Sequence, residues 1–339
     1  MAFTVYRSLG YIGLGKETTA GTGVAASFFY KPIGDALVSQ TQNTMEIRNG
    51  NVRDLTAHVK TGINEAGTFK TLWYANEGAA LLAYAMGADA VTGSSDPYTH
   101  TITLANNIPS LSVNQGLASN TGIIRGTGNK IADLTLDVAI NEPCYLSATI
   151  LGMTEDDSTM AATVSFTDTA GNGPFMFNQG SVTLTGPSDA STLQAQMRRL
   201  SVKIMQDTVT LPVVGQITPA GILERARTVE GTVDFVYSGQ SLYYLTYNGT
   251  NSATAPSATI GSGSIAFTLT SQAASPGPER SVAVTLANVD WLSASLPRIN
   301  ANASEAVITA TFQAKLVLGT PDVYPIAVVA KNSASSAYV

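Results

Sequence analysis

Along most of the chain, apolar and polar residues alternate with a period of two. In "IADLTLDVAI", residues 131–140, Ala132, Leu134, Leu136, Val138 and Ile140 fall on one side and Asp133, Thr135 and Asp137 on the other. That spacing predicts a strand with one packed face and one wet face. Residues 308–315 repeat it, with Ile308, Ala310, Phe312 and Ala314 alternating with Thr309, Thr311, Gln313 and Lys315. Such strands suit an antiparallel sheet, since strands of parallel sheets are apolar on both faces. The period changes at "NEGAALLAYAMG", residues 76–87, where Asn76 can cap a helix, Ala and Leu favour it and Gly87 can close it. "SGQSLYYLTYNG", ending at Gly249, is a second helix candidate richer in aromatics.

These segments recur in order. "QNTMEI" (42–47) is matched by "QDTVTL" (206–211), and "AGTFKTLWY" (66–74) by "EGTVDFVYS" (230–238), both at an offset of 164 residues. The second match sets Gly67 over Gly231, Thr68 over Thr232 and Trp73 over Tyr237. "LLAYAMG" then corresponds to "YLTYNG", and "YLSATI" (145–150) to "VITATF" (307–312). Weak matches in one order at nearly one offset predict a tandem duplication. Gly, Asp, Asn and Pro cluster in "TDTAGNGP", which sets a first module at 1–166, a linker at 167–173, a second module at 174–318 and a C-terminal extension at 319–339. Each half reads as strands, one short helix and more strands, so the chain is expected to be mainly β, a β-sandwich with a helix packed against one side.

Composition narrows the function. At 339 residues the chain has room for two cores. A formal charge of −6 gives no electrostatic hold on nucleic acid or an anionic membrane. One cysteine, Cys144, excludes an intrachain disulfide, and with only His58 and His100 beside it no metal or cofactor is expected. No apolar run approaches the ~20 residues of a membrane-spanning helix, so no membrane anchor is expected.

Several stretches invite chemistry. "GYIGLGKETTAGTG", residues 10–23, has the glycine and lysine spacing of a phosphate-binding loop, but Glu17 stands where the magnesium-binding hydroxyl belongs and no helix-forming run follows. Turns between short strands are the simpler reading. Glu155, Asp156 and Asp157 in "MTEDDST" lack the spacing of a calcium loop and are expected in a solvated loop. "RGTGNK", residues 125–130, reads as a wide hairpin turn, and His100 as a structural residue on a strand. "RNGNVRDLTAHVKTG", residues 48–62, concentrates Arg48, Arg53, Asp54, His58 and Lys60 in a chain that otherwise has little charge. It is expected to be a long loop that contacts a partner.

Taken in order, "GLGKETTAGTGV", "NEAGTFKT", "EGAALLAYAMG", "DPYTHTITLANNIPSLSV" and "GNKIADLTLDVAINEPCYLSATILGM" resemble the tail tube (major tail) proteins of long-tailed, non-contractile phages. The stretch from "GPFMFNQGSVTLTG" to "VITATFQAKL" is similar to the corresponding second half. The resemblance implies two tail-tube-type β-sandwich modules whose sheets join into a ring-forming β-barrel. Three two-module copies would complete a ring with pseudo-sixfold symmetry, and rings would stack into a hollow tube. It further implies a virion location after synthesis in the host cytoplasm, tape measure protein and untethered DNA in the lumen, and tail terminator and distal tail proteins at the tube ends. It places Asp133, Thr135 and Asp137 on the inner wall, and Arg48, Arg53, Asp54, His58 and Lys60 in a loop that stacks rings. The competing reading without catalysis is a β-sandwich adhesin or carbohydrate-binding module, which would show exposed aromatics, whereas Trp73 and Trp291 sit within strand patterns.

Overall fold

The computed structural model describes residues 10–48, 54–116, 124–156, 164–166, 173–251, 254–271, 279–297 and 306–339. The first half supplies β1 (Tyr11–Lys16), β2 (Phe28–Tyr30), β3 (Leu37–Ile47), β4 (Ala57–Leu72), helix α1 (Ala75–Met86), β5 (Gly87–Thr92), β6 (Tyr98–Leu104), β7 (Leu111–Gly116), β8 (Ile124–Ala139), β9 (Tyr145–Gly152) and β10 (Thr154–Asp156). The second half supplies β11 (Gly180–Thr185), α2 (Ala190–Ala195), β12 (Met197–Met205), β13 (Thr208–Leu211), β14 (Gly221–Glu224), β15 (Thr228–Val236), α3 (Ser241–Asn248), β16 (Ser262–Thr270), β17 (Ser281–Ser295), β18 (Val307–Ala314) and β19 (Ala327–Asn332). The fold is mainly β, as the alternation predicts.

An inner sheet runs, antiparallel throughout, in the order β3-β4-β9-β8-β12-β15-β18-β17. Each half contributes four strands, and the order within the two sets is the same: a pair before the helix, then two strands after it. The registers agree as well, since Thr68 faces Thr149 in one set and Thr232 faces Thr311 in the other. The sets meet where β8 pairs with β12.

β8 and β17 each serve two layers. Residues 124–129 of β8 pair with β7, and residues 281–290 of β17 with β16, in an outer layer. A register shift at Ala132 in β8, and another at Leu292 in β17, marks the passage to the inner sheet. Such bulges bend a strand and re-aim its side chains. The bulge removes Ala132 from the expected apolar stripe and puts Ile131 there instead, buried with Leu134, Leu136 and Val138. Ile140 lies past the strand end.

The core fills the space between the layers. α1 is buried on every side, not merely packed against one face, and touches β2, β5, β6, β8, β17 and β19. Gly87 ends it in the left-handed conformation at φ 93°, donating to Ala83 O, which a residue with a Cβ adopts at a cost. Asn76 is not the cap. Tyr74 occupies that position, and Asn76 is drawn away to Ser333, donating to its Oγ at 2.9 Å and accepting from its backbone N–H at 3.1 Å. α3 ends at Gly249 as expected, while α2 is a helix that the sequence pattern does not announce.

The C-terminal segment is woven into the fold. β19 lies between β17 and β6, joining the second half to the first. His100 on β6 clasps it: Nδ1 lies 2.9 Å from Asp89 Oδ2, Nε2 lies 2.9 Å from Ala334 O, and the ring stacks on Tyr338. Burial pulls the imidazole pKa down, but the Asp89 carboxylate and the Ala334 carbonyl outweigh it, and the net shift is upward. The histidine is structural, as expected, but it has an acidic partner from the neighbouring strand.

Candidate assembly surfaces

The inner sheet has one face against the core and one bare face, and the bare face carries the predicted Asp133, Thr135 and Asp137. These three are half-buried on β8. The acids are not isolated charges. Asp137 takes a bidentate pair from Arg199 at 2.9 and 3.0 Å, and Asp133 lies 3.2 Å from Lys203, both partners coming from β12 across the junction of the halves. Asp234 accepts from Thr309 at 2.6 Å, and Asp290 holds Lys315 at 2.6 Å. Thr68, Thr149, Thr135, Ser201, Thr232 and Thr311 line the same face between them. The surface is therefore hydroxylated and nearly charge-balanced, where the sequence pattern suggested bare acid.

The sheet has two open ends. Among the described residues β3 pairs only with β4 in the inner sheet, and residues 293–295 of β17 pair only with β18. An open edge is a template for another strand. The β3 edge is partly covered by side chains: Gln115 on β7 accepts from Val38 N at 3.1 Å and donates back to Val38 O, and Glu155 on β10 accepts from Gln40 N at 2.6 Å. Glu155 is thus not in a solvated loop, and neither is Asp156, which pairs with Arg125. Asp157 lies outside the described residues.

Beneath this edge Glu65 on β4 is 1% exposed. Burial, together with the nearby Glu155, raises its pKa from 4.5 to about 8, against an opposing hydrogen bond from Asn129. Residues 125–130 run beside it as strand and not as the expected hairpin turn. Gly126 and Gly152 leave room for the Glu65 carboxyl, which a Cβ at either position would overlap.

The segment 48–62 also departs from expectation. Residues 57–62 are strand, so β3 and β4 form a hairpin arm joined by a shorter connection. His58 and Lys60 are exposed on the arm's second strand, Arg48 pairs with Glu46 at 3.1 Å, Asp54 is exposed near the tip and Arg53 lies outside the described residues. The arm carries exposed Met45 and Val59. In the second half the ribbon β13–β14 takes the matching position, with Thr208 facing Glu224 as Thr44 faces Lys60. That ribbon folds across the first half. Glu224 binds Lys130 Nζ at 2.6 Å and the Ile108 N–H at 3.1 Å, and Ile217 O accepts from Ile63 N at 2.7 Å.

The remaining candidates carry no chemistry. Gly10 to Lys16 leads into and forms strand β1, and Glu17 is buried, accepting from Ser110, Ser112 and the Gly21 and Gly128 amides. Among the described residues no cluster of His, Cys, Asp or Glu could hold a metal ion. A groove of about 460 Å³, lined by residues such as Val138, Phe177, Met197 and Phe267, contains no acid, base or thiol. Trp73 and Trp291 are 0% and 1% exposed, so neither offers the open ring face that a sugar platform needs. No described helix is long and apolar enough to cross a membrane. The family model described as phage tail tube protein matches residues 8–314. No curated protein matches the chain.

Proposed function

This chain belongs to the phage tail tube protein family, a structural component of the virion tail, and from that premise we propose that three copies close into a ring and that rings stack into the tube that conducts DNA. One observation carries the reading. The junction β8–β12 joins two four-strand sets of the same order, and the strands left open at the two ends, β17 and β3, are the counterparts of β8 and β12. A second copy can therefore repeat between chains the contact already made within one, with β17 replacing the side chains of Gln115 and Glu155 on the β3 edge. Two sets per chain make six in a ring of three, and closure removes both open edges.

The layers support the assignment of the bare face to the lumen. The helices and the outer strands all cover one side of the inner sheet, so a ring closed by that sheet has room for them only outside. Asp133, Thr135 and Asp137 then line the channel. Paired acids and hydroxyls offer DNA no excess cations, and affinity for phosphates comes from such excess. Tape measure protein would fill the lumen before DNA, and terminator and distal tail proteins would meet the last rings.

The register of the closing contact follows from equivalence. Within the chain Asp133 faces Met205. Their counterparts, reached through the Thr149 and Thr311 pairings on one side and the Thr68 and Thr232 pairings on the other, are Ser293 and Thr41. These are non-hydrogen-bonded positions of an antiparallel pair, close enough for a disulfide. Thr41→Cys combined with Ser293→Cys should, on mild oxidation of assembled material, yield covalent species ending at a trimer on a denaturing gel. The pair Thr41→Cys with Ser295→Cys, two residues out of register, should link far less. Absence of cross-links in intact tubes, or a ladder ending at six chains, would count against the ring.

The arm tip is the proposed stacking element. Arg48 and Asp54 flank, and Arg53 belongs in sequence to, the connection between the arm's two strands, while His58 and Lys60 occupy its second strand. Replacing residues 48–56 with a short Gly-Ser turn spares both strands and is expected to leave folded protein that forms rings but not tubes in negative-stain images. Tubes of ordinary length from that variant would place stacking elsewhere.

A further inference from the structure

Resting on the ring reading above, we propose that Lys60 of one copy forms an ion pair with Asp290 of the next, and that its polarity decides which strands join. Within the chain, the ribbon β13–β14 seals the β8–β12 junction through Glu224 and Lys130, whose side chains are only 14% and 15% exposed. Glu224 faces Thr208 in the ribbon, and Lys60 faces Thr44 in the arm, at positions matched in "QDTVTL" and "QNTMEI". Lys130 faces Leu151 on β9, and Asp290 faces Gln313 on β18, each two residues beyond the matched Thr149 and Thr311. The counterpart of Lys130–Glu224 is therefore Asp290–Lys60, with the charges exchanged between the strands.

The two residues are available for this contact. Lys60 is exposed on the arm and has no ion partner among the described residues. Asp290 is held by Lys315 at 2.6 and 2.8 Å, which orients the carboxylate, and a carboxylate accepts from more than one cation. At the position matching Lys315 the first half has Met153, so the second lysine belongs to this junction alone.

The exchange of charge has a consequence for assembly. Copies of a duplicated chain could also join wrongly, with β17 of one on β12 of another, or β8 on β3. The first would bring Asp290 to Glu224 and the second Lys130 to Lys60. Like charges meet in both, whereas the correct junctions, within and between chains, bring opposite charges together. Repulsion against wrong partners is how charge patterns confer specificity.

Charge reversal tests this directly. Lys60→Glu alone, and Asp290→Lys with Lys315→Met, should each raise the protein concentration needed for polymerisation by at least about tenfold while leaving the circular dichroism of the free chain unchanged. The Lys315→Met change reproduces the Met153 setting and avoids a new lysine pair. Combining all three substitutions should restore assembly, because the reversed pair copies Lys130–Glu224. Failure of the combination to restore it, or normal assembly by Lys60→Glu, overturns the ion pair. Carrying Thr41→Cys and Ser293→Cys on the otherwise unaltered chain separates the two readings: a cross-linked trimer with no rescue leaves the ring and removes the pair, and no cross-link in intact tubes removes both.

Discussion

Replacing Glu65 with glutamine is expected to stabilise the unassembled protein at pH 8 and to change it little at pH 5. The carboxyl is buried beneath the β3 edge, and burial with the neighbouring Glu155 lifts its pKa from 4.5 to about 8. Between those values the folded chain holds a proton that the unfolded chain has released. Stability therefore falls as pH rises from about 4.5 to about 8, by at most about 1.4 kcal/mol per pH unit from this group, and levels off above. Glutamine is neutral throughout and removes that slope, so the gain at pH 8 amounts to about 3 kcal/mol or more. Denaturant midpoints measured across pH 5–9 check it: the wild-type midpoint should decline relative to the variant over this window. Parallel curves would mean that Glu65 is ionised in the folded chain and that its burial is relieved by other means.

Replacing Trp73 with alanine should cost about 3–5 kcal/mol, the range for emptying a large aromatic site in a packed core. The ring is 0% exposed and contacts Phe175 and Phe267 edge-on at centroid distances of 6.1 and 6.4 Å. Gly78 on α1 is held close to the indole, where a Cβ would collide with it. The backbone on either side is also fixed, since Trp73 N donates to Cys144 O and Trp73 O accepts from Phe175 N. Trp73 belongs to the first half and both phenylalanines to the second, so the loss should weaken both together. A single shifted unfolding transition by fluorescence and circular dichroism is expected. Two separated transitions would show that the halves unfold independently, and a shift below about 1 kcal/mol would show that the site collapses around the smaller residue.

Much of this protein was legible where the relevant physics is local. A period of two is imposed by strand geometry on each segment separately, so residues 131–140 and 308–315 declared themselves as strands with one wet face. Ala and Leu followed by Gly87 declared a helix and its end, because propensity and positive φ act within a few residues. The doubled order of motifs was visible for the same reason, since it requires only comparison of the chain with itself. Even the absence of a phosphate loop at Gly10 to Lys16 could be argued from the single residue Glu17.

What the tertiary structure decided was partnership. Any amphipathic strand offers the same ladder of donors and acceptors, so alternation does not state that β8 takes β12, nor that β19 slips between β17 and β6. Asn76 has the chemistry of a cap, but Ser333, distant in sequence, competes for its side chain. Residues 125–130 look like a turn because Gly and Asn gather there, and 57–62 fall in a stretch that its charge marks as a loop, yet both are strand. Gly126 in the first makes room for Glu65, and charge in the second is tolerated on an exposed arm. Asp133 and Asp137 read as bare acid until β12 brought Lys203 and Arg199 beside them, and Glu65 drew no notice in the sequence, because only burial raised its pKa. Electrostatic character depends on distance and desolvation, which arise when remote segments meet, so the sequence determined the strands and their wet faces while the fold alone determined their neighbours and the charge those faces present.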